Sequence, residues 1–150
     1  MRGSLGHYRI LRKLGAGAMG EVYLAADTRL ERRVALKLLP PHVADDPICR
    51  KRLRREAEAV AALDHPNIVT IYSIDEAVGE QTGSEKVHFF TMQLIGGETL
   101  ADAIPDRGFD VDRVLALALP LTDALGAAHG KGIAHRDLEP DLNESDGGRV

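Results

Sequence analysis

Between Tyr8 and Leu39, apolar residues recur at every second position in short runs, and each run is closed by glycines or charged residues. A period of two predicts strands near Tyr8 to Leu14, Glu21 to Ala26 and Arg33 to Leu39, folded as an antiparallel meander with Thr28 to Arg32 as a polar turn. Pro40 and Pro41 close this unit. From Asp46 to Leu63 the period changes: Leu53, Ala57, Val60 and Ala61 fall on one face of a helix that starts at Asp46-Pro47 and is stopped by His65-Pro66. Ile68 to Ile74 and Val87 to Leu94 predict two more strands around a polar loop from Asp75 to Lys86. After Gly96-Gly97 the pattern is helical, first around Thr99 to Ile104 and then over the long apolar stretch from Val111 to His129. Pro120 lies inside that stretch and is expected to kink or break it, at a cost of roughly 3 kcal/mol. Leu115, Leu117, Leu119, Leu121 and Leu125 form an apolar surface that needs a covering partner.

These elements predict an α+β fold: a five-stranded antiparallel sheet with one helix, followed by a smaller helical part. The sheet lobe spans residues 8–95, with a junction near 93–97, and the helical part spans 98–150. Residues 1–7 are set aside as a leader.

The chain has 150 residues, 44% of them hydrophobic and 28% charged, an ordinary globular balance. Its net charge of -4 argues against nucleic acid as a partner, because backbone binders carry a basic excess. The one cysteine, Cys49, rules out an internal disulfide and has no Cys/His neighbours at zinc spacing, which suits a reducing cytoplasm. No run of about eighteen apolar residues could span a bilayer. The expectation is a cytoplasmic domain with no membrane segment.

The candidate chemistry begins at Gly15-Ala16-Gly17-Ala18-Met19-Gly20, where missing side chains let backbone N–H groups approach phosphate oxygens. Alone, this match is equally a Gly-rich hairpin. It joins two strands instead of opening a helix, which disfavours a dinucleotide-binding fold. In Val34-Ala35-Leu36-Lys37 on the next strand, Ala35 and Lys37 share a face, a small side chain beside a cation, suited to a flat base beside phosphates. Val22 shares a face with Gly20 and could cover the base. Glu56, between Leu53 and Val60, is expected on the inward stripe of the helix; a buried carboxylate needs a counter-charge, and Lys37 is the evident one. The arginines from Arg50 to Arg55 read as a solvated face, with Arg52–Glu56 and Arg54–Glu58 at i,i+4 spacing.

Gly15 to Val22, Val34 to Lys37, Glu56, His65-Pro66-Asn67-Ile68 and His135-Arg136-Asp137-Leu138 together resemble, in order and over nearly the whole chain, the protein kinases, especially bacterial serine/threonine kinases. The resemblance implies a protein-kinase-like fold with ATP and Mg²⁺ as cofactors. It assigns the phosphate cradle to Gly15, Gly17 and Gly20, phosphate contact to Lys37 and its ion pair to Glu56. Leu14, Val22 and Ala35 would line the base site, Met92 would guard its back, and Gln93 and Leu94 would offer backbone hydrogen bonds. Asp137 would orient or deprotonate the acceptor hydroxyl, supported by His135 and Arg136.

The chain also departs from that pattern. Where the family has Lys two residues after the catalytic Asp, this sequence has Glu139, whose charge repels a triphosphate. The Asn that ligates Mg²⁺ comes one residue late, as Asn143, a displacement of up to about 3.5 Å. Asp-Phe-Gly does not follow. Two expectations result: a serine/threonine kinase domain that is truncated and inactive in this form, or a pseudokinase-like nucleotide-binding or scaffolding module.

Overall fold

The computed structural model describes residues 3–17, 20–40, 44–78 and 86–134. Six strands form one antiparallel sheet: β1 (Gly3–Leu5), β2 (Tyr8–Gly17), β3 (Gly20–Asp27), β4 (Arg32–Leu38), β5 (Ile71–Val78) and β6 (Lys86–Met92), in the order β1-β2-β3-β4-β6-β5. Among the described residues three helices accompany them, α1 (Pro47–Ala61), α2 (Leu100–Ala103) and α3 (Val111–Gly130). The sheet thus has six strands, not five. The additional one lies in the stretch set aside as a leader: Leu5 pairs with Tyr8 and is fully buried, so apolar burial draws that segment into the sheet.

One face of the sheet holds the main core, with Leu5, Tyr8 and Ile10 packed against Tyr23, Ala25, Val34, Leu36 and Phe89. Each fully buried large side chain of this kind contributes roughly 1.5–3 kcal/mol relative to exposure. The sheet is curled. Tyr8 on β2 and Ser73 on β5 are separated by three strands in sheet order, yet their hydroxyls lie 3.2 Å apart. Ser73 in turn bonds Thr91 at 2.7 Å, so the buried Thr91 hydroxyl is satisfied inside the core. Tyr8 also meets Phe89 edge-on at 5.7 Å.

The helix ends follow their local chemistry. Asp46 caps α1 by accepting from the Ile48 N–H, with Pro47 in the first turn. Thr99 and Asp102 form a reciprocal capping box at α2. Asp110 caps α3 through the Arg113 N–H. Pro120 does not break α3, which is continuous from Val111 to Gly130. Its ring removes one backbone donor, and the flanking turns retain theirs; Thr122 Oγ1 bonds the Ala118 carbonyl at 2.7 Å. Leu115, Leu119 and Leu121 are exposed as the pattern implied, whereas Leu117 and Leu125 are half-buried.

The β3–β4 turn is built around the buried Asp27, whose Oδ1 accepts from the N–H groups of Arg29 and Leu30. His7 Nε2 lies 3.7 Å and Arg32 Nε 3.9 Å from its carboxylate. Burial works to raise the Asp27 pKa, but the two backbone donors and the two neighbouring bases outweigh it and hold the carboxyl below its usual value. A depressed folded-state pKa stabilises the fold above the unfolded pKa, and this stability is lost as pH falls through the folded value. Asp27→Asn keeps an acceptor for the turn but cannot ionise. The stability gap between wild type and Asp27→Asn in urea should therefore be widest at neutral pH and close on acidification below the ordinary aspartate range.

Gly20 answers to a different constraint. Its φ is +111°, and a Cβ there would sit 2.1 Å from the Leu38 carbonyl oxygen. Gly20→Ala should lower the urea midpoint, by at least ~1–3 kcal/mol of stability for the backbone conformation alone.

Candidate functional site

Antiparallel register brings the candidate residues into rows across the sheet. Gly15 pairs with Val22, Val22 with Lys37, and Lys37 with Phe90, so one row crosses β2, β3, β4 and β6. The neighbouring row joins Leu24, Ala35 and Met92. Two residues separate the rows along each strand, about 7 Å, and both lie on the face opposite the main core. Here Leu14, Leu24 and Ala35 are buried together, with Val22, Met92 and Leu94 packed against them. A small apolar cluster and a cation thus sit side by side. The Lys37 Nζ lies 6.0 Å from the Phe90 ring centroid, near the limit of a cation–π contact.

The glycine hairpin is braced from its flanks. Gly17 pairs with Gly20 at its neck, while the Glu21 carboxylate accepts from Lys13 Nζ and from the Tyr23 hydroxyl, both at 2.6 Å. Those hydrogen bonds, Lys13 first and then Tyr23, hold Glu21 below the usual carboxylate range. Gly20 is required by the close approach of β4 described above. This need is separate from phosphate access, and the motif alone did not reveal it.

Beyond Met92 the chain leaves the sheet, and residues 93–99 carry neither helix nor strand. The Gln93 N–H donates to the Thr70 carbonyl at 2.9 Å. An open cleft of about 580 Å³ adjoins this apolar cluster, lined by Leu14, Leu24, Leu94 and Gly97 together with Arg12 and Arg33.

Glu56 differs from expectation. It is not on the inward face: its side chain is half exposed and its Oε1 lies 3.6 Å from Arg52 Nε, the i,i+4 neighbour. Helix α1 buries Ala57 and turns Arg50 toward the sheet, which carries Glu56 to the solvent side. The apolar stripe was too short, at four small or medium residues, to fix the rotation of α1, and polar anchors on Arg50 decided it.

The His65-Pro66-Asn67 turn takes up a linking position. The Asn67 N–H donates to His65 Nδ1 at 3.2 Å, so Nε2 carries the ring proton toward Asp123 Oδ2, 3.2 Å away on α3. Sequence reasoning also missed Leu24, although the period of two that selected Val22 selects it as well.

Asp137, Asn143, His135, Arg136 and Glu139 lie outside the described residues. Among the described residues, no group of three or more His, Cys, Asp and Glu could hold a metal ion, and no helix is long and apolar enough to cross a membrane.

Comparison with known proteins accounts for this geometry. The chain matches the sequence profile of the protein kinase domain over residues 8–142. It is 39% identical over 137 residues to the serine/threonine-protein kinase PknD of Mycobacterium tuberculosis, covering 91% of this chain and 20% of that protein. It is 38% identical over 136 residues to the serine/threonine-protein kinase PrkC of Bacillus subtilis, again with 90% of this chain and 20% of the relative covered. Among solved structures, the kinase domain of Mycobacterium tuberculosis PknI superposes with a TM-score of 0.70 at 33% identity, over 91% of this chain and 54% of that one. The chain therefore spans about a fifth of the length of these curated relatives and about half of a solved kinase domain. With the glycine hairpin, the strand lysine and the apolar cluster in one register, and a profile match over most of its length, the chain belongs to the protein kinase domain family, among relatives that are bacterial serine/threonine kinases.

Proposed function

We propose that this chain binds ATP in the face formed by Leu14, Val22, Ala35, Met92 and Leu94, with the triphosphate running past Lys37 beneath the glycine hairpin. The observation that carries this reading is the shared row of Gly15, Val22 and Lys37 beside the buried cluster of Leu14, Leu24 and Ala35. An apolar slot of this kind suits a flat base, and a cation one row away suits the charge that follows it. The Gln93 N–H is committed to Thr70, so its carbonyl and the Leu94 backbone are the groups offered to the base edge. The assigned roles of Gly17 and Gly20 are to keep side chains away from the phosphates.

In the complete protein, the reaction would be transfer of the γ-phosphate to a protein serine or threonine hydroxyl. Asp137 would orient that hydroxyl or accept its proton, and the hydroxyl oxygen would displace ADP as leaving group. Mg²⁺, when bound with the nucleotide, neutralises phosphate charge, and Asn143 is its candidate ligand in this chain. Cytoplasmic placement fits both an ATP ligand and an unpaired cysteine. Glu56 enters this scheme only if α1 turns it toward Lys37.

A second reading, a nucleotide-binding module without transferase activity, is favoured by Glu139. A carboxylate in that position opposes the charge that develops on the transferring phosphoryl group.

Two outcomes are expected. Lys37→Met should weaken binding of a non-hydrolysable ATP analogue roughly 10- to 100-fold by calorimetry, the range for losing a charge-assisted hydrogen bond, while Lys131→Met leaves it unchanged. Equal affinity in the Lys37 variant and wild type would remove the phosphate assignment. Glu139→Lys should raise transfer of labelled γ-phosphate to a generic Ser/Thr protein substrate, and an unaltered rate would count against electrostatic opposition at that position.

A further inference from the structure

The register of β2 against β3 skips a residue beside the glycine hairpin. Lys13 pairs with Tyr23 and Gly15 pairs with Val22, so Leu14 is an extra residue on β2, the mark of a β-bulge. Leu14 itself is buried in the cluster with Leu24 and Ala35. The bulge interrupts the ladder at the point where the hairpin leaves the body of the sheet. Beyond it stand three pairs, Gly15 with Val22, Ala16 with Glu21 and Gly17 with Gly20. Three of those six residues are glycines and bring no cross-strand side-chain contact. Strand β1 pairs with β2 only as far as Ile10, so among the described residues β3 is the sole sheet neighbour of this arm.

A side-chain bridge crosses the bulge from behind. Lys13, just before it on β2, donates to Glu21 Oε1 at 2.6 Å, and Glu21 lies beyond it, opposite Ala16. The other carboxylate oxygen, Oε2, accepts from the Tyr23 hydroxyl at 2.6 Å. Tyr23 is packed in the main core, so that end of the bridge is fixed. Burial, and then the bond to Glu21, push the Tyr23 phenol above its ordinary range, which keeps it a donor at neutral pH. Glu21 shares the face of Tyr23 by the period of two, and Lys13 shares it by pairing with Tyr23. The bridge therefore lies on the core side of the sheet, away from the face assigned to nucleotide.

We propose that Lys13 and Glu21 are positioning residues for nucleotide binding: they tie the glycine hairpin to the sheet across the bulge, so that it is already set over the triphosphate when nucleotide arrives. A hairpin fixed in advance has less freedom to lose on binding. The effect on nucleotide rests on the ATP reading above; the tie between hairpin and sheet does not.

Two measurements test the parts separately. Without nucleotide, amide hydrogen exchange in Lys13→Met and in Glu21→Ala should quicken across Gly15 to Gly17, beyond the bulge, and keep the wild-type rate at Ile10 and Ala25, before it. Unchanged exchange at Gly15 to Gly17, or faster exchange along the whole of β2 and β3, would overturn the tie. With nucleotide, each variant should bind the non-hydrolysable ATP analogue roughly three- to fivefold more weakly, the upper range for an exposed ion pair, while adenosine, which lacks phosphates, binds as to wild type. The double variant should be no weaker than either single one, because both break one contact. Plain electrostatics gives opposite signs: losing Lys13 would weaken binding of an anion, and losing Glu21 would strengthen it. Tighter binding by Glu21→Ala, additive losses in the double variant, or an equal loss for adenosine would overturn the positioning role. If Lys37→Met shows that nucleotide does not use this face, the ATP reading falls and hydrogen exchange still decides the tie.

Discussion

Strand register is the constraint on which the rest of this molecule depends. Side chains alternate across a strand, so a slip of one residue between β3 and β4 would send Ala35 and Lys37 to the core face and Val34 and Leu36 to the cleft. The slip is prevented by burial: Val34 and Leu36 are fully enclosed on one face, and Ala35 on the other. The turn around Asp27 fixes where the pairing begins, and the contact of Gly20 with the Leu38 carbonyl fixes where it ends. Packing on one face therefore sets the chemistry on the other.

The curl of the sheet follows from the same packing. Tyr8 reaches Ser73 across the core, and Arg32 lies over the Tyr72 ring at 3.6 Å, so strands distant in sheet order are tied together. On the opposite face Leu14 and Leu24 are buried with Ala35, and Val22 and Met92 pack against them. Helix α1 is attached more loosely. Its sequence offers a thin apolar stripe and many charges, and it meets its neighbours through the buried Ala57 and the contact of Arg50 with His88.

Much of the sheet was legible in the sequence because short runs of period two recur between Tyr8 and Leu38 and both faces are apolar near the centre. The shared face of Ala35 and Lys37 was legible for the same reason, whereas Met92 was singled out by the family resemblance. The first strand was not, since Gly3–Leu5 is too short to show a period and gains its place only by pairing with β2. A break at Pro120 did not follow, because an interior proline removes one hydrogen bond and the neighbouring turns of a long helix can absorb that loss. Glu56 was misread because spacing gives the relative positions of residues around a helix, not the helix's rotation against its neighbours; in the structure Arg50 meets His88 and Glu56 lies beside Arg52.

The most direct test of the account is an NMR titration of the isotope-labelled chain with a non-hydrolysable ATP analogue, following backbone amides. The account predicts the largest shift changes at Gly15, Val22, Ala35 and Lys37, in two rows of one sheet face, and at Leu94 just beyond β6, with the amides of Leu5 and Tyr8 nearly still. Shift changes concentrated elsewhere, or none at saturating nucleotide, would contradict it.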